Sequence, residues 1–142
     1  MSRVLLVLST PAVLSAITAC YMGLLFIVAI EPDTGSPDDL MSSIHPTVAN
    51  LLHVPAYGIL GWLWILSLRG RGLVKSRVVG VTLAVCVLYG AALELVQTVV
   101  PGRFVSVWDV LANLAGVVIV CAWYAAGGRF MLKSYGKSRP SG

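Results

Sequence analysis

Long apolar runs separated by short polar segments set the pattern of this chain. Four of them, residues 4–30, 47–68, 78–100 and 110–126, come close to or exceed the ~20 helical residues that cross a bilayer core of ~30 Å. Hydrocarbon offers no hydrogen bonds to the backbone, so a spanning segment must be a helix or part of a closed barrel. No ten-residue stretches of alternating polarity point to a barrel. The pattern therefore predicts an all-α, polytopic membrane protein with four transmembrane helices. Residues 1–128 form one domain, and 129–142 form a basic tail. Pro11 is expected to kink the first span.

Composition agrees with this pattern. Of 142 residues, 58% are hydrophobic and 11% charged, against about 25% charged in soluble domains. The mean hydropathy is +0.89. A soluble enzyme, a disordered chain and a nucleic-acid binder are all excluded on these grounds. Ile17-Thr18-Ala19-Cys20 has the look of a lipoprotein cleavage box, but Tyr21 to Ile30 continues apolar. The first helix is accordingly expected to be retained. Cys20, Cys86 and Cys121 each lie within an apolar run and read as small hydrophobes in packed helices.

Charge adds an orientation. Arg3, the loop residues Arg69, Arg71, Lys75 and Arg77, and the tail residues Arg129, Lys133, Lys137 and Arg139 fall on one side of the four spans. The opposite loop carries Glu31, Asp33, Asp38 and Asp39 without a Lys or Arg. The positive-inside rule then places both termini in the cytoplasm, as expected for a multi-pass protein of a bacterial cytoplasmic (inner) membrane. The tail serves as a topogenic anchor or lies on anionic headgroups.

With that orientation, polar residues scattered along the chain gather at one depth near the outer surface. They are His53 and Tyr57 from span two, Glu94 and Gln97 from span three, Arg103 from the outer turn, and Ser106, Asp109 and Asn113 from span four. Each has a structural reading. Ser106-x-x-Asp109 matches a capping box, Gln97 and Asn113 suit interhelical hydrogen bonding, and Tyr57 and Trp108 suit interfacial anchoring. His53 suits packing, and Arg103 suits neutralising Glu94 or Asp109. Packing alone needs one or two such groups, however, and ionisable residues at membrane depth are costly. Gly58, Gly61, Gly90 and Gly116 also permit close helix approach here. Together these features point to a site.

No metal and no cofactor is expected, because His45 in the acidic loop is the sole other histidine. No strained nucleophile turn marks Ser106 for a serine triad. A transporter is disfavoured by the lack of an internal repeat and by the apolar stretches 78–87 and 117–124.

Leu51-Leu52-His53-x-x-x-Tyr57-x-x-Leu60-Gly61, Tyr89-Gly90-x-x-x-Glu94-Leu95-x-Gln97 and Pro101-Gly102-Arg103-Phe104-x-Ser106-x-x-Asp109-x-x-x-Asn113-x-x-Gly116 resemble the VanZ-like family of bacterial membrane proteins. The resemblance spans about residues 46–122, with Ala49-Asn50 where that family often has Asp-Lys. It implies a link to low-level teicoplanin resistance or to cell-envelope metabolism, and it suits membrane enzymes that exchange or hydrolyse phospholipid headgroups. Under the enzyme reading, His53 is nucleophile or general acid/base, and Glu94 or Asp109 orients it. Arg103 holds phosphate, while Tyr57, Gln97, Ser106 and Asn113 contact substrate. The alternatives are a non-catalytic binder of lipid, cell-wall precursor or glycopeptide, and a structural membrane subunit. Membrane lipids are partners in every case, nucleic acid in none, and the oligomeric state stays open.

Overall fold

The computed structural model describes residues 10–33, 46–103 and 106–127. Four helices account for nearly all of them: α1 Pro11–Ile30, α2 Pro46–Arg69, α3 Lys75–Gln97 and α4 Val107–Ala125. All four are long and apolar enough to cross a membrane, and there is no strand among the described residues. The chain is a multi-pass membrane protein. Residues 4–9 of the first predicted span, most of the acidic loop with His45, Phe104 and the tail from Arg129 lie outside the described residues.

Helix starts follow local chemistry. Pro11 occupies the first position of α1, after Thr10 in an extended conformation. Its missing N–H costs nothing there, because the first-turn donors have no intrahelical acceptor. The expected Pro11 kink is thus replaced by a helix start. The proline inside a helix is Pro55 of α2, which deprives the Leu51 carbonyl of its usual donor. Gly72, with φ 74°, turns the chain from α2 into α3, where an L side chain would be strained.

The α2–α4 contact is the most intimate in the bundle. A Cβ on Gly116 would overlap the Val54 carbonyl oxygen and come within 2.9 Å of the Gly58 nitrogen. Here the two backbones touch, the small-residue packing available to helices in lipid. Leu60, Ile65, Val78, Val117 and Cys86 close the interior around this contact. Cys121 is also buried, whereas Cys20 is exposed and is not the packed residue expected. The cause lies in α1, of which only 11% is buried inside the bundle, against 33% for each other helix.

Hydrogen bonds hold this peripheral helix. Tyr21 Oη donates to the Ala56 carbonyl of α2 at 3.0 Å, and Tyr89 Oη of α3 donates to the Met22 carbonyl. Ser15 Oγ meets Ser67 Oγ at 2.8 Å and accepts from Arg71 Nη2 at 2.9 Å. Outward faces carry Leu24, Ile27, Leu88, Leu95 and Ile119, side chains suited to lipid contact.

The two ends of the bundle differ in chemistry. At one, Lys75 Nζ donates to the Ala125 carbonyl at the close of α4. Arg69 and Lys75 both stand over the Tyr124 ring, 5.6 and 5.8 Å from its centroid, in cation–π geometry. At a rise of ~1.5 Å per residue, His53 lies ~24 Å along α2 from Arg69. The predicted polar residues therefore occupy the opposite end from this basic one.

Candidate functional site

A cleft of about 170 Å³ opens at that polar end. Leu25, Val28 and Ala29 of α1 form one wall, and Leu52, His53, Ala56 and Tyr57 of α2 another. Leu93, Glu94 and Gln97 of α3, with Arg103 from the turn between α3 and α4, complete it. His53 and Tyr57 are four residues apart, so α2 presents both on one face; Glu94 and Gln97 share a face of α3 in the same way. Antiparallel neighbours bring these faces together, and five of the eight predicted site residues line one cavity.

The remaining three stand around it. Asn113 is buried and its Nδ2 donates to Glu94 Oε1 at 3.4 Å. It supports the carboxyl group from α4 and is not among the cleft-lining residues. Asp109, 7% exposed, acts electrostatically on Glu94, as does His53. Ser106 precedes α4 in an extended conformation and its side chain accepts from the Trp108 N–H, at 3.2 Å. That bond satisfies one of the unbonded first-turn donors. Ser106→Ala is expected to cost ~1 kcal/mol of stability, read as a thermal midpoint, and to leave cleft occupancy unchanged.

Tyr57 belongs to the floor. It is 3% exposed, and a Cβ on Gly90 would lie 3.1 Å from its ring and 3.4 Å from Asn113 Nδ2. Gly90 thus gives Tyr57 and Asn113 room to pack side by side above α3. Trp108, 70% exposed, has instead the outward placement of an interfacial aromatic.

Arg103 lines the cleft, yet two of its nitrogens are committed to backbone. Nε donates to the Glu31 carbonyl at 3.0 Å and Nη2 to the Val28 carbonyl at 2.9 Å. These carbonyls lie at the C-terminal end of α1, where acceptors are left over and the helix dipole favours a cation. Beside it the Asp33 N–H donates to the Pro101 carbonyl at 3.2 Å. Gly102, with φ 77°, packs against the Asp33 backbone. Arg103 is therefore a fastener between α1 and the α3–α4 turn as well as a cleft residue.

The α1 wall was not read from the sequence as part of a site. Leu25, Val28 and Ala29 sit in a helix whose apolar residues are spread around its whole circumference, so periodicity singles out no face. The family model described as VanZ/LLP1 matches residues 10–128, a span that includes α1. No curated protein matches, and no solved structure does.

Proposed function

This chain belongs to the VanZ/LLP1 family, and from that premise we propose that its cleft takes the head end of a membrane amphiphile carrying a phosphoester. The observation that carries the reading is the convergence of His53, Glu94, Gln97 and Arg103 on one cavity whose walls are otherwise apolar. Apolar walls suit the first methylenes of a lipid chain, and the polar residues suit its headgroup. At about 170 Å³, the cavity lies below the ~300–1,000 Å³ of pockets that bury a drug-sized molecule. The cavity would enclose only part of a glycopeptide. Any effect on teicoplanin susceptibility would run through a lipid or a lipid-linked cell-wall precursor.

In the catalytic form of this reading, His53 accepts the proton of an attacking water or alcohol and returns it to the leaving headgroup oxygen, since an imidazole serves in both directions. Gln97 donates to the phosphate oxygens. The basic turn between α2 and α3 faces the cytoplasm, and the cleft opens towards the outer leaflet of a bacterial cytoplasmic membrane.

The test uses the purified protein in nanodiscs containing phospholipids and lipid-linked cell-wall precursors, with products followed by mass spectrometry. Wild type is expected to release or exchange a headgroup, and His53→Ala to do so at least ~10²-fold more slowly. The same lack of product from both defeats the catalytic reading.

Non-catalytic binding is the second reading, favoured by the commitment of Arg103 Nε and Nη2 to backbone carbonyls. It predicts that lipid co-purifies equally with wild type and His53→Ala, with turnover in neither.

A further inference from the structure

Glu94 and Asn113 each bring one buried, unpartnered oxygen to the floor of the cleft. Asn113 Nδ2 donates to Glu94 Oε1 at 3.4 Å. The other oxygen of each group, Glu94 Oε2 and Asn113 Oδ1, is buried and has no hydrogen-bond partner. Both residues are 5% exposed, so bulk water does not supply the missing donors. An amide oxygen and an ionised carboxylate are acceptors only, and these two cannot satisfy each other as they stand.

A carboxylic acid and a primary amide, by contrast, have complementary edges. The amide N–H bonds to the acid's carbonyl oxygen, and the acid's O–H bonds back to the amide oxygen. Here the first arm is present at 3.4 Å, and a proton on Oε2 would provide the donor that the two lone acceptors lack. Without that proton or a bridging donor, a carboxylate and an unpaired amide oxygen each carry a desolvation penalty. Other titratable and charged groups also face this pair. His53 and Tyr57 approach from α2, Asp109 from α4 and Arg103 from the α3–α4 turn.

We infer that Glu94 holds a proton shared with Asn113 in a cyclic acid–amide pair, making the floor of the cleft an uncharged proton store. The inference does not rest on the headgroup reading. It does set a property of any ligand: an ammonium group gains no ion pair from Glu94, whereas an anionic headgroup meets no carboxylate repulsion there. Asn113 is then a positioning residue, acting through Glu94.

Infrared spectroscopy of the protein in nanodiscs at neutral pH tests this directly. Wild type is expected to show the carbonyl stretch of a protonated carboxylic acid, moving down in frequency in D₂O, and Glu94→Gln to lack it. An ionised Glu94 bridged to Asn113 by water gives no such band and overturns the inference, as does a band that persists in Glu94→Gln.

Thermal midpoints give a second readout. The side-chain amide N–H introduced by Glu94→Gln can replace the acid O–H, so that variant is expected to melt within ~2 °C of wild type. Glu94→Ala leaves Asn113 unpartnered and should melt lower by roughly 5 °C or more. Equal losses in the two variants count against the pair. Neither readout involves lipid turnover, so a failure here is distinguishable from a failure of the headgroup proposal.

Discussion

Gly116→Val is expected to prevent α2 and α4 from assembling, and Gly116→Ala to destabilise the bundle by ~3 kcal/mol or more. Overpacking a well-filled site ordinarily costs ~1–3 kcal/mol, and here the obstruction is backbone. A Cβ at this position overlaps the Val54 carbonyl oxygen and approaches Gly58 N to 2.9 Å. No rotamer change relieves such a contact, so the helices must separate. Separation would open the layer holding Tyr57 and Asn113, with loss of site as well as stability. Gly23→Ala is the control. A Cβ there meets nothing within 4 Å, so the variant should be no less stable than wild type, because Ala favours a helix interior by up to ~1 kcal/mol over Gly. Thermal unfolding in one detergent measures both. A Gly116→Ala variant as stable as Gly23→Ala would mean that the two backbones do not touch.

The same glycine shows what the sequence made legible. Gly58, Gly61, Gly90 and Gly116 could be read as points of close approach because lipid-embedded helices associate through small residues. Hydropathy located all four helices, with α2, α3 and α4 beginning one to three residues before the first residue of the predicted span. Alternating helix direction was enough to bring His53, Glu94 and Gln97 to one end, since in antiparallel neighbours the start of one span lies beside the finish of the next.

What stayed hidden depends on groups without a sequence signature. Arg103 was expected to meet a carboxylate or a phosphate, but the bonds of Nε and Nη2 go to main-chain carbonyls, which every residue possesses. Tyr21 and Tyr89 likewise reach carbonyls on neighbouring helices. Asn113 could be recognised as an interhelical donor, but not its partner 19 residues earlier. Cys20 and the cleft face of α1 were obscured by one cause: a helix apolar all round does not reveal which side packs.

Because α1 is little buried, its attachment at the cleft should depend heavily on Arg103. Arg103→Ala removes two charge-assisted bonds and leaves the Val28 and Glu31 carbonyls without them. A hydrogen bond to a charged group is worth ~1.5–3 kcal/mol when well shielded. With Arg103 half-exposed, a combined loss of ~2–4 kcal/mol is expected. Arg103→Lys should fall between, since an ammonium keeps the favourable charge at the end of α1 but lacks the planar fork that spans both carbonyls. Stability alone does not locate the damage, so a local probe is needed. Ala29, 5% exposed, lines the cleft on α1. In a Cys20→Ser background, Ala29→Cys should react slowly with a maleimide while Arg103 is present and several-fold faster in Arg103→Ala. Lysine should again be intermediate. Equal labelling rates would show that the Tyr21 and Tyr89 bonds, together with the Asp33–Pro101 bond, suffice to hold the wall. Faster labelling would tie entry to the cleft to Arg103. A ligand phosphate competing with the Val28 and Glu31 carbonyls for the guanidinium would then loosen the wall as it binds.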